Sequence, residues 1–418
     1  MIGLGLYFGS TWLLNRFDFE SVTAKEEVVK PKVEMATPGG QSLPTVELDK
    51  SKLAGIIGSH PFQPDEIQSF AITDSSGAAL FVRTTMDPEL QTWAVDFIAK
   101  IKSQSAALVA MDPKSGAVLS MASHTDDGRP INMALSNSFP AASLFKIITA
   151  AAAVEKNQLS SGSTLAYDGR KHTLYKKHIA GNIDQGAHQV TLKDSFADSI
   201  NTVFGKLGAF SLGPKELESF AQRFHFNQPI KFEMPVQESK FAAPDEEDPF
   251  RLAELASGFN RTTKVSPLHG AMLASAIVND GQLMEPTIVR EVFDKDNRIF
   301  YTHQPVSLGR VVSERTVREL TKLMEATVIE GTGQKRFKDL QRHPVLSKLD
   351  IGGKSGSIDN DEGRRVDWFV CFAKEKEGSG QSIALAAVVV HGEQMGLRSQ
   401  EIIREAIIHY FKSRVGKG

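Results

Sequence analysis

Two pairs of short apolar runs stand at opposite ends of a long, mostly helical middle, and that arrangement restricts the fold more than any other feature. The first pair, 106–111 and 117–121, is joined by Asp112-Pro113-Lys114-Ser115-Gly116, a sequence that reads as a hairpin turn. The second pair, 367–373 and 382–390, lies near the C-terminus. After it, 399–413 places Ile402, Ile403, Ala406, Ile407, Tyr410 and Phe411 on one helical stripe. Helical spacing also runs through 88–102, 143–155, most of 191–210, 252–256 and 267–278, whereas 233–249 is acidic and loop-like. Strands at both ends and helices between them predict an α+β fold: an antiparallel sheet flanked by helices, with the terminal helix covering one face. Residues 48–81 carry no decisive pattern.

The chain has 418 residues and a net charge of −2, with its basic residues dispersed, so no basic field points to nucleic acid. Its single cysteine, Cys371, excludes an internal disulfide and any cysteine-based zinc site. Lying in the apolar run Trp368-Phe369-Val370-Cys371-Phe372, it reads as a buried, inert thiol. The histidines, His391 among them, show no metal-ligand spacing and read as structural or solvated, so no metal and no cofactor are expected.

Residues 1–17 are largely apolar, shorter than the roughly 20 residues of a spanning helix, and no Lys or Arg precedes them. Residues 18–48 are polar and contain Pro31, Pro38, Gly39, Gly40 and Pro44, as flexible linkers do. An apolar start followed by a polar linker predicts a membrane anchor, shortened in this sequence, that tethers an extracytoplasmic domain, with a buried or interfacial helix as the alternative. The expected division is therefore 1–17 anchor, 18–48 linker, 49–83 a small N-terminal segment and 84–418 the main domain.

Ser143-Leu144-Phe145-Lys146 is the only place where a lysine follows a serine by three positions. Three positions on a helix put both side chains on one face, and a serine hydroxyl needs such a neighbouring base to act as a nucleophile. Pro140 suits a helix start, which would set Ser143 near the positive end of the helix dipole. Two further short motifs follow in order. Ser199-Ile200-Asn201 is the only serine with an asparagine two residues on, and Lys354-Ser355-Gly356 follows Gly352-Gly353. A second Lys-Ser-Gly at 114–116 precedes Ser143, lacks the glycine pair and reads as a solvated turn.

These three motifs, in this order, resemble those of a penicillin-binding protein transpeptidase domain, a family that shares its chemistry with serine β-lactamases. Met86-Asp87-Pro88, Asp112-Pro113-Lys114-Ser115-Gly116, Ser257-Gly258-Phe259, Val265-Ser266-Pro267-Leu268, Glu330-Gly331-Thr332-Gly333 and Asp367-Trp368-Phe369 extend the resemblance from about residue 84 to the end. It implies a sheet flanked by helices with an all-helical subdomain, and acyl transfer from D-alanyl-D-alanine peptides. It assigns Ser143 as nucleophile, Lys146 as base, Ser199 as proton relay and Asn201 as holder of the substrate amide. Lys354 would supply positive potential, Ser355 would bind the substrate carboxylate, and Gly356 would let substrate lie along a strand edge. The backbone N–H groups of Ser143 and Ser357 would receive the oxyanion.

There are departures from the family pattern. Ser355 stands where threonine is common, Ala142 where glycine commonly precedes the nucleophile, and Cys371 where a small residue is expected. The resemblance implies a D,D-transpeptidase that cross-links peptidoglycan stem peptides, is inhibited covalently by β-lactams, and is anchored in the plasma (inner) membrane with its catalytic domain periplasmic. No glycosyltransferase motif appears, so a partner polymerase is expected. A D,D-carboxypeptidase, a β-lactamase or β-lactam sensor, and a non-enzymatic cell-wall scaffold stay open as alternatives. The Glu-x-x-Leu-Asn segment of class A β-lactamases is absent, and Ser-x-Asn differs from the Ser-x-Val of class D.

Overall fold

The computed structural model describes residues 48–58, 68–73, 77–128, 132–180, 186–242, 244 and 248–415; the expected anchor, and the linker up to residue 47, lie outside them. Five strands form the central sheet: β1 (Ser105–Met111), β2 (Val118–Thr125), β3 (Leu349–Asp359), β4 (Arg365–Glu375) and β5 (Ser382–Val390). Their order is β3-β4-β5-β1-β2, antiparallel throughout, so the two ends of the chain meet where β5 pairs with β1. The helices around it are α1 (Pro88–Ala99), α2 (Lys146–Lys156), α3 (Asn201–Lys206), α4 (Pro249–Ser257), α5 (Pro267–Val278), α6 (Glu314–Ile329) and α7 (Ser399–Phe411).

The sheet is buried on both faces, and strand alternation sorts its side chains between two cores. Ala106, Leu108 and Ala110 of β1 and Phe369 and Cys371 of β4 face a core built with Leu90, Ala94 and Ile98 of α1 and Ile402, Ile403, Ala406 and Ile407 of α7. Ala107 and Val109, with Trp368, Val370 and Phe372, face the opposite core, which contains α5. Helix α5 is buried all round except at its last residue, Val278, as expected for a helix between a sheet and a helical layer. The helical subdomain gathers α2, α3, α4 and the amphipathic helix Gly213–Arg223.

Polar anchors set the ends of these elements. Asp87 caps α1, its carboxylate accepting from Leu90 N at 2.9 Å. Asp367 on β4 accepts from both N and Oγ of Ser399 at 2.9 Å and from Arg398 at 2.7 Å, which fixes the start of α7. Trp368 is fully buried and donates from Nε1 to the Pro140 carbonyl at 2.9 Å, with its ring edge-on to Phe139. The Asp367-Trp368-Phe369 run thus joins the terminal helix, the sheet and the approach to Ser143.

Two elements were not legible from the sequence pattern. Strand β3 has no periodic signal of its own around Lys354-Ser355-Gly356, because Gly352, Gly353 and Gly356 dilute it; only the family resemblance implied a strand edge at Gly356. The glycines have a packing reason: a Cβ on Gly352 would strike the Phe372 ring, and one on Gly353 the Phe369 ring. Cys371 pairs with Gly353 and is fully buried, its thiol pKa pushed up by burial. The described residues between 48 and 84 also form regular elements. Helix Lys50–Ile57 precedes strands Ser69–Thr73 and Ala79–Thr84, which join Val289–Phe293 and Ile299–Thr302 in a second antiparallel sheet. The earlier Lys-Ser-Gly lies in the β1–β2 hairpin, where the Ser115 hydroxyl is committed to Asp112 at 2.7 Å. Among the described residues no helix is long and apolar enough to cross a membrane.

Gly352→Ala is expected to destabilise the protein by about 1–3 kcal/mol, the range for overpacking a filled core. Chemical denaturation with an unchanged m-value checks this.

Candidate active site

A cavity of about 1140 Å³ opens where the edge strand β3 meets the helical subdomain, lined by Ser143, Ser199, Asn201, Ser355, Gly356 and Ser357 among others. Lys146 and Lys354 are fully buried. The structure therefore brings together every site residue singled out in the sequence.

Ser143 lies in a 3₁₀ turn, Ala142–Phe145, that runs directly into α2. Proline 140 is not in the helix; it pairs with Lys264 in a short two-stranded bridge. Ala142 has φ +50°, a left-handed conformation that costs a non-glycine residue about 1–2 kcal/mol. That is the physical reason a glycine suits this position. The strained turn is braced by Gly258, which also has positive φ and packs so closely that a Cβ there would collide with the Ala142 carbonyl. Gly356 approaches from β3: a Cβ at that position would lie 3.3 Å from Ser143 N. Glycine there keeps the space in front of this N–H clear for an incoming carbonyl oxygen.

The Lys146 amine has three partners: Ser143 Oγ at 2.7 Å, Asn201 Oδ1 at 2.8 Å and the Ser257 carbonyl at 2.6 Å. The Ser257 oxygen can only accept. Asn201 Oδ1 is likewise an acceptor, because its amide nitrogen donates to the His172 carbonyl at 2.8 Å. A neutral amine has two hydrogens and one lone pair. As an ammonium it donates to all three oxygens; in the neutral form Ser257 and Asn201 take its two hydrogens, and the lone pair is left for the Ser143 hydroxyl. Burial, and then the charge on Lys354, hold the Lys146 pKa well below its ordinary 10.5, which favours that neutral form. This is the arrangement of a general base set against a nucleophile.

Lys354 is lowered to about 7 by burial, partly offset by Asp198. It donates to the Ser355 carbonyl at 3.0 Å and stands 5.3 Å from the centre of the Phe196 ring. Ser199 follows helix Leu192–Ala197 with φ +57°, a second left-handed non-glycine residue, and breaks the long helix expected over 191–210. The break turns Ser199 and Asn201 toward the cavity.

Sequence reasoning passed over several members of the site. Ser257-Gly258 supplies a lysine acceptor and a close approach. Thr332 bridges motifs, with its N–H on the Ala197 carbonyl at 3.1 Å and its hydroxyl 2.6 Å from Ser355 Oγ. Both runs had been noticed as patterns, without roles. His172, set aside with the other histidines, lines the cavity; nothing in its local sequence marked it.

Comparison with known proteins gives a consistent picture. The family model described as the penicillin binding protein transpeptidase domain matches residues 106–409. The peptidoglycan D,D-transpeptidase PbpA of Mycolicibacterium smegmatis is 26% identical over 347 residues, covering 74% of this chain and 67% of that protein. The stage V sporulation protein D of Bacillus subtilis is 28% identical over 290 residues, covering 66% of this chain and 42% of its own length. The chain thus spans between about two fifths and two thirds of these curated relatives. Among solved structures, the D,D-transpeptidase domain of a peptidoglycan glycosyltransferase from Eggerthella lenta superposes with a TM-score of 0.65 at 25% identity, covering 80% of this chain and 83% of that one. An imipenem acyl-enzyme complex of penicillin-binding protein A from Mycobacterium tuberculosis shares the fold, with a TM-score of 0.62 at 24% identity over 79% of each chain.

Gly258→Ala should displace the Ser143 turn and lower the rate of serine acylation about 100-fold, the scale of a 1 Å misplacement. Stopped-flow acylation checks this. Lys354 gives a stability prediction. Its folded pKa of about 7 lies below the ordinary 10.5, so the unfolded chain binds the extra proton between those values. Stability is therefore lowest below about pH 7 and rises toward pH 10. Lys354→Met should raise the thermal midpoint more at pH 6 than at pH 9.

Proposed function

The chain belongs to the penicillin-binding protein transpeptidase family, and from that membership we propose that it is a serine D,D-transpeptidase that cross-links peptidoglycan stem peptides. The observation that supports this most directly is the environment of Lys146, whose amine lies 2.7 Å from Ser143 Oγ and has two further oxygen partners, Asn201 Oδ1 and the Ser257 carbonyl. In the proposed reaction the Ser143 oxygen attacks the carbonyl of the penultimate D-alanine as its proton passes to Lys146. The oxyanion is received by the N–H groups of Ser143 and Ser357, in the clear space beside Gly356. Asn201 holds the donor amide, and Ser355 holds the terminal carboxylate in the positive potential supplied by Lys354. As the C–N bond breaks, Ser199 relays the proton held by Lys146 to the leaving D-alanine amine, giving up its own proton and regaining one from Lys146. The acyl group on Ser143 is then transferred to the amine of a second stem, which regenerates the serine.

β-Lactams present the same carbonyl, nitrogen and carboxylate, so they acylate Ser143 and stay there. The proposal extends to setting. Residues 1–17 anchor the protein in the plasma membrane, 18–48 tether it, and the segment 49–83, whose strands join the second sheet, goes with the domain over 84–418, which works outside the cytoplasm beside a separate peptidoglycan glycosyltransferase.

Labelling with a fluorescent penicillin followed by mass spectrometry should place one adduct on the peptide carrying Ser143, and Ser143→Ala should abolish it. An equal adduct on Ser143→Ala would sink the assignment. With donor and acceptor stem peptides together, cross-linked product is expected in excess of the shortened donor. Hydrolysis alone would make the protein a carboxypeptidase, and rapid turnover of a chromogenic cephalosporin would make it a β-lactamase.

A further inference from the structure

Several charged side chains that line the cavity are already committed to partners. Arg261 donates from Nε to the Asp359 carbonyl at 2.7 Å, Arg398 pairs with Asp367 at 2.7 Å, and Arg336 with Glu401 at 3.0 Å. Glu254 is different. It lines the same cavity with its side chain 24% exposed, and its carboxylate accepts no hydrogen bond from any described residue. Its ion pair among the described residues is with Arg251 at 3.8 Å, beyond hydrogen-bonding distance, and that guanidinium side chain is 70% exposed.

Helix α4 sets where this carboxylate stands. Glu254 lies three residues, about 4.5 Å of helix, before Ser257, whose carbonyl is 2.6 Å from Lys146 Nζ. Past the end of α4, Arg261 ties the following loop to Asp359 on β3. Ser355 is four residues back along that strand, about 13 Å away. Helix α4 and its loop therefore wall the Asp359 end of the cavity, while Thr332, 2.6 Å from Ser355 Oγ, marks the other end. In the proposed reaction the terminal carboxylate of the donor sits at Ser355 and its acyl oxygen at the N–H of Ser357. The donor chain thus runs along the edge of β3 from Ser355 toward Asp359. The residue that precedes D-alanyl-D-alanine reaches the end walled by α4.

We propose that Glu254 is a specificity-determining residue that receives the side-chain ammonium of the donor residue preceding D-alanyl-D-alanine. The inference rests on the transpeptidase reading, in which the acceptor stem supplies an amine; a donor that is a stem of the same kind brings an ammonium of its own into the cavity. A carboxylate partly withdrawn from water and left without donors is costly. An ammonium offers it three N–H donors and the opposite charge. Burial raises the Glu254 pKa, Arg251 and Lys176 act against this, and Asp248 adds to it. A cation seated beside the carboxylate offsets the burial that these groups leave in place.

The test uses two peptides that differ by one charge: Nα-acetyl-L-lysyl-D-alanyl-D-alanine, and the same peptide with its side-chain amine also acetylated. Each competes with a fluorescent penicillin for Ser143, and the concentration that halves the labelling rate is measured. On the wild type the charged peptide is expected to protect at about tenfold lower concentration, the scale of one hydrogen bond to a charged group. Glu254→Gln keeps the shape and removes the charge, and should bring the two concentrations together. Their ratio is internal to each variant, so it does not depend on the fraction of folded protein. Equal protection by the two peptides on the wild type, protection by neither, or a ratio that survives Glu254→Gln would overturn the proposal. Absence of a Ser143 adduct on the wild type without peptide would instead overturn the transpeptidase reading itself.

Discussion

The site turns on one buried amine. Removing an ammonium group from water is expensive, and a lysine without acceptors at the Lys146 position would be a defect. Three oxygens from three separate stretches of chain, Ser143, Asn201 and Ser257, meet it instead. The same burial that makes the position costly shifts the lysine toward its neutral form and turns a charged side chain into a base. The helical subdomain is assembled around this point: α2 carries the lysine, α3 begins at Asn201 and α4 ends at Ser257. Disturbing any one of these helices changes the amine's surroundings.

The Ser143 and Ser199 hydroxyls both sit next to strain. Ala142 immediately precedes Ser143, Ser199 carries its own, and both are in left-handed backbone conformations without being glycine. Strain of about 1–3 kcal/mol at each persists only where the surroundings over-determine it. Gly258 wedges against the first, and the Arg170–Thr173 turn is bonded to the segment containing the second. Ala142 shows that the nucleophile turn tolerates a side chain on its strained residue, while Gly258 and Gly356, which touch it from outside, leave no such room. The third motif is a strand for a related reason. On β3, Lys354 stays buried while Ser355 borders the cavity, and the outer edge of the sheet is left for an extended peptide.

The elements away from the chemistry share the same logic of connection. Asp367 and Trp368 are neighbours on β4 and point to opposite faces, so one residue fixes the start of α7 and the next fixes the strand that leads to Ser143. Cys371, unusual for the family, is accommodated because its partner across the ladder is Gly353. Thr332 joins the Ala197 carbonyl to Ser355, so the second and third motifs are coupled through a loop that contains no motif residue.

Residue type and order singled out Ser143, Lys146, Ser199, Asn201 and Lys354 through a family resemblance, and the fold gathers these residues around one cavity. Periodicity was enough to mark β1, β4, β5 and α7, whose apolar residues repeat at the strand or helix spacing. It could not mark β3, where glycines that make room for Phe369 and Phe372 erase the alternation. Nor could it mark His172 or the Ser257 carbonyl, since a backbone oxygen has no sequence signature and a lone histidine has an ambiguous one. The charge state of Lys146 was the furthest from reach. A lysine three residues after a serine is a charged surface side chain in water; only closure of α3, α4 and β3 around it withdraws the solvent, supplies the acceptors and sets Lys354 close enough to lower its pKa further.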